Sequence, residues 1–284
     1  MIFYLTLNIC YYCAGVVIAQ GRSVAKFHIG DEVYGNIQDF NGGGQPKKLG
    51  TLAEFIVVEE SMVAKKPKNL SFEEAVSLPL AVQTAVEGFV TAGFKEGQTI
   101  FVVVLEAWLC SWPSTYMVLL MLLPLQARLN WNFVKSLGAD KVVDYTKTPY
   151  EEIEEKYDLL YDTIGDCKKS FVVAKEYAPI IDITWPTSHP KALYSSLTAS
   201  GEILERLRPH LETGKLKAVI DPSGPYNFAD VIEAFRYLET GRARGKVVIS
   251  SFPSQNFFHP VSCESNKSTG LEMVTQKIIT GPVY

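Results

Sequence analysis

Thr99-Ile100-Phe101-Val102-Val103-Val104 is an unbroken apolar run rich in β-branched residues, the pattern of a strand buried on both faces. Downstream of it strands and helices alternate. A helix over 133–137 stops at Gly138, a strand covers 141–143, and a helix over 150–157 opens at Thr148-Pro149, with proline in its favoured first turn. A strand over 159–163 runs to Gly165, a helix covers 169–176 and a strand covers 180–184. This order predicts an α/β fold, a doubly wound parallel, Rossmann-like sheet with helices on both faces. Beyond it lie a helix over 201–212, a strand over 218–220, a helix over 229–238 between Asn227 and Gly241, and a strand over 246–250.

Upstream of Thr99 the pattern is different. Short β runs at 14–18, 32–34 and 52–58, separated by Ile29-Gly30-Asp31 and Gly42-Gly43-Gly44-Gln45-Pro46, predict all or part of a small β-barrel. Ser71 followed three residues on by Glu74 has the spacing of a capping box and starts a helix that breaks near Pro79 and stops at Gly93. After Pro253 the periodicity is lost. The expected domains are therefore a β domain over 1–68, a cofactor domain over 69–228, a return segment over 229–253 and an unstructured tail over 254–284.

Composition narrows the function classes. With 284 residues, 27 Lys+Arg against 31 Asp+Glu and 47% hydrophobic residues, the chain is an ordinary globular protein, long enough for two domains. A net charge of −4 with no dense basic cluster argues against nucleic acid as a partner. Five scattered cysteines are an odd number, too sparse for a disulfide scaffold, and predict a reducing compartment. Cys10 and Cys13 form a C-x-x-C, redox-active or half of a zinc site, but no second ligand pair has the right spacing, and buried thiols are the simpler reading. His28, His189, His210 and His259 have no partner constellation and are expected to be exposed. The apolar stretch 2–19 lacks a basic start and is interrupted by Thr6 and Asn8, and its second half reads as a strand. The run over 116–125 is about ten residues, short of the roughly 20 that a bilayer demands.

A doubly wound sheet that binds a dinucleotide needs a Gly-rich turn after its first strand, where backbone amides and a helix N-terminus meet the pyrophosphate. Here Val104 is followed by Leu105-Glu106-Ala107-Trp108-Leu109-Cys110. Of the four tryptophans, three (Trp108, Trp112 and Trp131) fall within 24 residues that contain no glycine.

The flanking runs are more informative. Val33-Tyr34-Gly35, Leu78-Pro79-Leu80-Ala81 with Thr84-Ala85, Ser136-Leu137-Gly138-Ala139-Asp140 with Asp144-Tyr145, Tyr161-Asp162 with Gly165, and Gly245-Lys246-Val247-Val248 resemble the zinc-independent medium-chain dehydrogenase/reductases. Within them the chain is most similar to the plant-type NADPH-dependent enone and quinone reductases, over residues 13–104 and 133–253. In that family the first strand leads into a Gly-Gly-Ala-Gly-Gly-Val-Gly loop and then a stretch such as QLAKHIYGASHVVATTSTPKLEF. Suitable codons for that stretch, read one base later, encode residues 111–132 at all 22 positions. Residues 105–132 thus read as an out-of-frame version of the cofactor-binding element.

The resemblance implies a GroES-like β domain completed by the C-terminal segment and a Rossmann domain between. It implies NADPH as cofactor, with hydride delivered to the β-carbon of an enone or quinone and no metal required. By position, Thr84 falls at the nicotinamide end, Tyr145 by the adenosine 2′-phosphate, and Thr184, Ser195, Ser196 and Leu197 on the nicotinamide side. Arg242 and Ala243 close the site. Each has a plainer reading: Thr84 as a helix residue, Tyr145 as a packed aromatic, the serines as loop residues bonding their own backbone, and Arg242 as a surface charge near a helix C-terminus. No catalytic residue is assigned, because the family's substrate-pocket lysine lies upstream of the matching segment, where residues 1–12 are unrelated. The expected partners are a small enone or quinone and a second copy of the chain, with no nucleic acid or membrane. The expected location is cytoplasmic, with the plastid as the alternative. Two functions stand side by side, an NADPH-dependent enone or quinone reductase and an inactive fragment that does not bind NADPH.

Overall fold

The computed structural model describes residues 10–38, 50–104, 116–121, 135, 138–144, 147–149, 152–250, 273–276 and 278–280. The chain divides into two compact units, one of residues 1–83, 198–212 and 218–284, the other of residues 84–197 and 213–217. This differs from the expected boundary at 68/69: the capped helix and the start of the next one join the β unit, as does the helix over Gly201–Glu212.

The first unit holds an eight-stranded sheet. Its strands are β1 (Tyr12–Gln20), β2 (Glu32–Asn36), β3 (Phe55–Val58), β4 (Val63–Lys65), β11 (Tyr226–Asn227), β12 (Val248–Ser250), β13 (Met273–Gln276) and β14 (Ile278–Thr280). β2 joins β1 to β4, and β13 lies between β1 and β3. Alternation sets the faces: Cys13, Val17, Val33, Ile37, Ile56 and Val58 point into one apolar cluster that also takes Phe27 and Val63. Ser71 caps α1 (Phe72–Val76) as expected, accepting the Glu74 N–H while the Glu74 carboxylate accepts the Ser71 N–H.

The expected unstructured tail is corrected here. Met273–Gln276 pairs antiparallel with both β1 and β3, and Ile278–Thr280 pairs with β12 and meets β1 at Ala14. The Val274-Thr275 and Ile278-Ile279-Thr280 residues are β-branched and supply ladder partners that these strands lack locally.

The second unit is built on six parallel strands in the order β10-β9-β8-β5-β6-β7: β5 (Thr99–Val104), β6 (Tyr116–Met121), β7 (Lys141–Asp144), β8 (Leu159–Asp162), β9 (Ile180–Asp182) and β10 (Leu193–Tyr194). Counted from β5, this is the 3-2-1-4-5-6 arrangement of dinucleotide-binding sheets, with the reversal of direction between β5 and β8. β6 falls inside the out-of-frame stretch. Residues 116–121 pair with all six residues of β5, because an interior parallel strand asks only for a short apolar run, and Tyr-Met-Val-Leu-Leu-Met is one.

Two expected helices are corrected. Residues 153–158 are not helical: Ile153 and Tyr157 are buried in the core, and Tyr157 bridges Ala174 in parallel. The Glu151-Glu152-Ile153-Glu154-Glu155 run places like charges three and four residues apart, which disfavours helix. That same bridge ends the expected helix over 169–176 early, leaving α3 (Cys167–Ser170) and a 3-10 turn over Phe171–Val173. The expected helix over 133–137 falls almost wholly outside the described residues. Elsewhere α2 (Pro79–Thr91), α4 (Gly201–Glu212) and α5 (Val231–Glu239) follow the pattern closely, although the Asn227 side chain makes no cap hydrogen bond.

One close approach holds α2 to the sheet. A Cβ added at Gly88 lies 2.6 Å from Tyr161 Oη and 2.7 Å from its Cζ, and that hydroxyl donates to the Thr84 carbonyl at 2.8 Å. Gly88→Ala is expected to cost about 1–3 kcal/mol by overpacking. Differential scanning calorimetry should show a melting temperature lowered by several degrees, and an unchanged transition would mean that Tyr161 swings aside.

Candidate active site

Ligands of open α/β sheets bind outside the carboxyl ends of the strands, at the reversal of strand order. In this sheet that edge carries Val104, Asp162, Asp182 and Tyr194 at the ends of β5, β8, β9 and β10.

Asp162 and Asp182 are fully buried. Neither is among the expected cofactor residues. The available signal was an aspartate closing each apolar run, Leu159-Leu160-Tyr161-Asp162 and Ile180-Ile181-Asp182, just before small and polar residues. Asp162 accepts the backbone N–H groups of Ile164 at 2.9 Å, Gly165 at 2.8 Å and Asp166 at 3.0 Å. Burial, the largest influence, pushes its pKa up against those bonds, and the Asp182 charge adds to the rise. Asp182 accepts from Thr184 through N–H at 2.9 Å and Oγ1 at 2.6 Å, and from Ser188 through N–H at 2.7 Å and Oγ at 2.8 Å. Burial raises its pKa, but the Thr184 and Ser188 donors outweigh burial and hold it below the usual carboxylate range. The Cys167 thiol lies 3.4 Å from Asp182, and burial with two neighbouring carboxylates drives its pKa far up, so it is no nucleophile.

The structure gathers most of the expected cofactor residues into the second unit. Thr84 is buried, and its carbonyl accepts from Tyr161. Thr184 is half-buried, its hydroxyl committed to Asp182. Ser195 is 5% exposed, and among the described residues its Oγ has no hydrogen-bond partner. Ser196 is half-buried and Leu197 is buried. Arg242 and Ala243 belong to the first unit. There the Arg242 N–H donates to Thr240 Oγ1 at 3.3 Å and its carbonyl accepts from Tyr237, while Ala243 packs against the cluster of Ala234, Val247 and Ile249. Tyr145 lies outside the described residues.

Of the residues expected on the nicotinamide side, Ser195 has among the described residues an unpaired hydroxyl, which suits a neutral amide or carbonyl. The phosphate half does not fit. At the turn after β8 the amides that an anion needs are already taken by the Asp162 carboxylate. After β5 the sequence supplies Leu105, Glu106 and Trp108. An acidic side chain repels a pyrophosphate, and bulky ones keep the backbone away from it.

Cys10, Cys13 and Cys167 are buried thiols, with Cys13 donating to the Gly35 carbonyl. Among the described residues no three His, Cys, Asp or Glu side chains come together to hold a metal, and no helix is long and apolar enough to cross a membrane. His28 is exposed, but the expectation of exposed histidines is corrected at His189, which is half-buried with its ring 4.5 Å from Phe171, and at half-buried His210.

Comparison with known proteins agrees with this architecture. Residues 3–68 match the model of the alcohol dehydrogenase GroES-like domain, and residues 137–249 match that of the zinc-binding dehydrogenases. The chain is 42% identical over 247 residues to a 2-methylene-furan-3-one reductase of Solanum lycopersicum, covering 86% of this chain and 63% of that protein. It is 38% identical to the chloroplastic NADPH-dependent alkenal/one oxidoreductase of Arabidopsis thaliana, covering 64% of it, so the chain spans just under two thirds of these relatives. A chloroplast envelope quinone oxidoreductase homolog of Arabidopsis thaliana is 30% identical, with 83% of this chain and 77% of that protein covered. Among solved structures, an alcohol dehydrogenase superfamily protein from Novosphingobium aromaticivorans superposes with a TM-score of 0.72 at 26% identity, covering 85% of this chain and 81% of that one. The β unit, the Rossmann strand order and these matches together make the chain a member of the medium-chain dehydrogenase/reductase family.

Proposed function

We propose that the chain belongs to the NADPH-dependent branch that reduces the C=C bond of α,β-unsaturated ketones or of quinones, and that it keeps the ring-facing half of the cofactor site without the phosphate-binding half. The observation that carries the reading is the Thr184–Ser195 edge of a sheet in Rossmann order, in a chain 42% identical to an enone reductase. A specific observation favours the second reading for the polypeptide as it stands: Glu106 and Trp108 replace the glycine turn, so this chain is an inactive form that does not hold NADPH. The substrate is a small enone or quinone. A second copy is the proposed partner, supported by the edge position of β10, where Leu193 and Tyr194 are exposed. The cytoplasm is the proposed location, with the plastid as the alternative suggested by the chloroplastic relatives.

The test is a chain in which residues 105–132 are replaced by the family's glycine-rich loop and in-frame helix segment. With an enone or a quinone present, this restored chain should consume NADPH, while the chain as it stands should not. Failure of the restored chain with both substrate classes would remove the reductase reading.

A further inference from the structure

Three residues stand just beyond the carboxyl ends of neighbouring strands: Gly165 after β8, Thr184 after β9 and Ser195 after β10. Asp182 and Tyr194 are register partners, so Thr184 lies two residues, and Ser195 one residue, past the same pair. The single hydrogen of the Thr184 hydroxyl goes to the fully buried Asp182 carboxylate at 2.6 Å, and the Thr184 N–H joins it at 2.9 Å. An ionised carboxylate has no hydrogen to give back. Half-buried Thr184 therefore offers only the lone pairs of Oγ1 to any further group. Gly165, at φ +80°, leaves room beside them: a Cβ built there would sit 3.0 Å from Thr184 Oγ1. Next along the edge, the buried Ser195 Oγ has no hydrogen-bond partner among the described residues, an exception that calls for an account.

Neighbouring strands lie about 4.8 Å apart, a span that one planar amide covers when it is hydrogen-bonded at both ends. A primary amide presents N–H at one end and oxygen at the other. That pattern answers an obligate acceptor on one strand and an unpaired hydroxyl on the next. We propose that Asp182 is a positioning residue that fixes Thr184 Oγ1 as an acceptor, so that Thr184 and Ser195 recognise the primary amide of the cofactor's nicotinamide ring. This rests on the reductase reading and deepens it by naming the residue that decides which ring substituent is accepted. Without the Asp182 carboxylate the Thr184 hydroxyl could turn and donate, and a ring bearing only a carbonyl would be held as well as the amide.

The experiment uses the whole chain and ring probes that carry no pyrophosphate. These are 1-benzyl-1,4-dihydronicotinamide and its 3-acetyl analogue, in which a methyl replaces the amide NH2, both titrated by ligand-observed NMR. The parent should bind the amide about 10-fold more tightly than the ketone, the effect of one hydrogen bond. Thr184→Ser should keep that ratio, and Thr184→Val, which keeps the shape without the oxygen, should abolish it. Asp182→Asn replaces a pure acceptor by a group that can also donate and should lower the ratio, whereas Ser188→Ala, which touches only the other Asp182 oxygen, should not. A merely structural Asp182 would weaken both probes alike and leave the ratio unchanged. Thermal melts identify any variant that fails to fold. If Asp182→Asn is one, the parent decides: a Thr184 hydroxyl free to turn would donate to the ketone, and equal binding of the two probes overturns the proposal. A ratio that survives in Thr184→Val or in folded Asp182→Asn overturns it too, and both results leave the reductase reading intact. Binding of neither probe by the parent also overturns it, and the reductase reading then stands or falls on the restored chain alone.

Discussion

Replacing residues 105–132 with the family's glycine-rich segment raises NADPH affinity by at least about 100-fold. The magnitude follows from what the pyrophosphate loses in the present chain. A glycine turn at a helix N-terminus offers several charge-assisted hydrogen bonds of roughly 1.5–3 kcal/mol each, and two of them already amount to about 3–6 kcal/mol, or two to four orders of magnitude. Among the described residues the turn after β8 does not stand in: the amides of Ile164, Gly165 and Asp166 are occupied by Asp162. The measurement is a fluorescence titration of each purified chain with NADPH. A micromolar dissociation constant for the chain as it stands would sink the prediction, since it would require a phosphate site elsewhere. The scaffold itself is not the obstacle, because β6 forms from the out-of-frame residues and pairs with β5 and β7.

That contrast shows which features were legible in the sequence. The capping box at Ser71 and Glu74 and the strand Thr99–Val104 were readable because their determinants are local: a hydroxyl and a carboxylate three residues apart, and an apolar run of strand length. The helix expected over 150–157 was not, because its outcome depends on a partner about 17 residues away, where Lys175 N–H donates to the Tyr157 carbonyl and Tyr157 N–H to that of Val173. The strands after residue 272 were hidden for the same reason, their partners β1, β3 and β12 lying far along the chain. Thr184 and Ser195 were placed by resemblance to a family. What resemblance could not supply was the state of each hydroxyl, one committed to Asp182 and the other unpaired, since that depends on the three-dimensional surroundings.

Replacing Asp182 with Ala destabilises the second unit by about 3–5 kcal/mol, more than replacing Asp162 with Asn. Asp182 is the acceptor for both donors of Thr184 and both of Ser188, so its removal leaves partly buried hydroxyls and amides unpaired at once. The two carboxylates also respond to pH in opposite senses. Asp182 is held below its ordinary value of 3.8, so its ionised form is favoured by folding; that contribution is complete above pH 3.8 and is lost as the pH falls through the folded value. Asp162 is pushed above 3.8, so its charge opposes folding, and stability declines as the pH rises from 3.8 through its folded value, then levels off. Asp162→Asn removes that opposing charge, keeps one acceptor oxygen for the turn and therefore costs less near neutrality. Urea denaturation of the parent and both variants at a series of pH values separates these terms. Asp162→Asn should flatten the decline above pH 3.8 and leave the acid limb intact. Asp182→Ala should weaken the acid limb and lower the midpoint throughout the neutral range. If both variants kept the parent's pH profile, the hydrogen bonds to these carboxylates would be stabilising the turns without any preference for the ionised form, and the assignment of opposite shifts would be wrong.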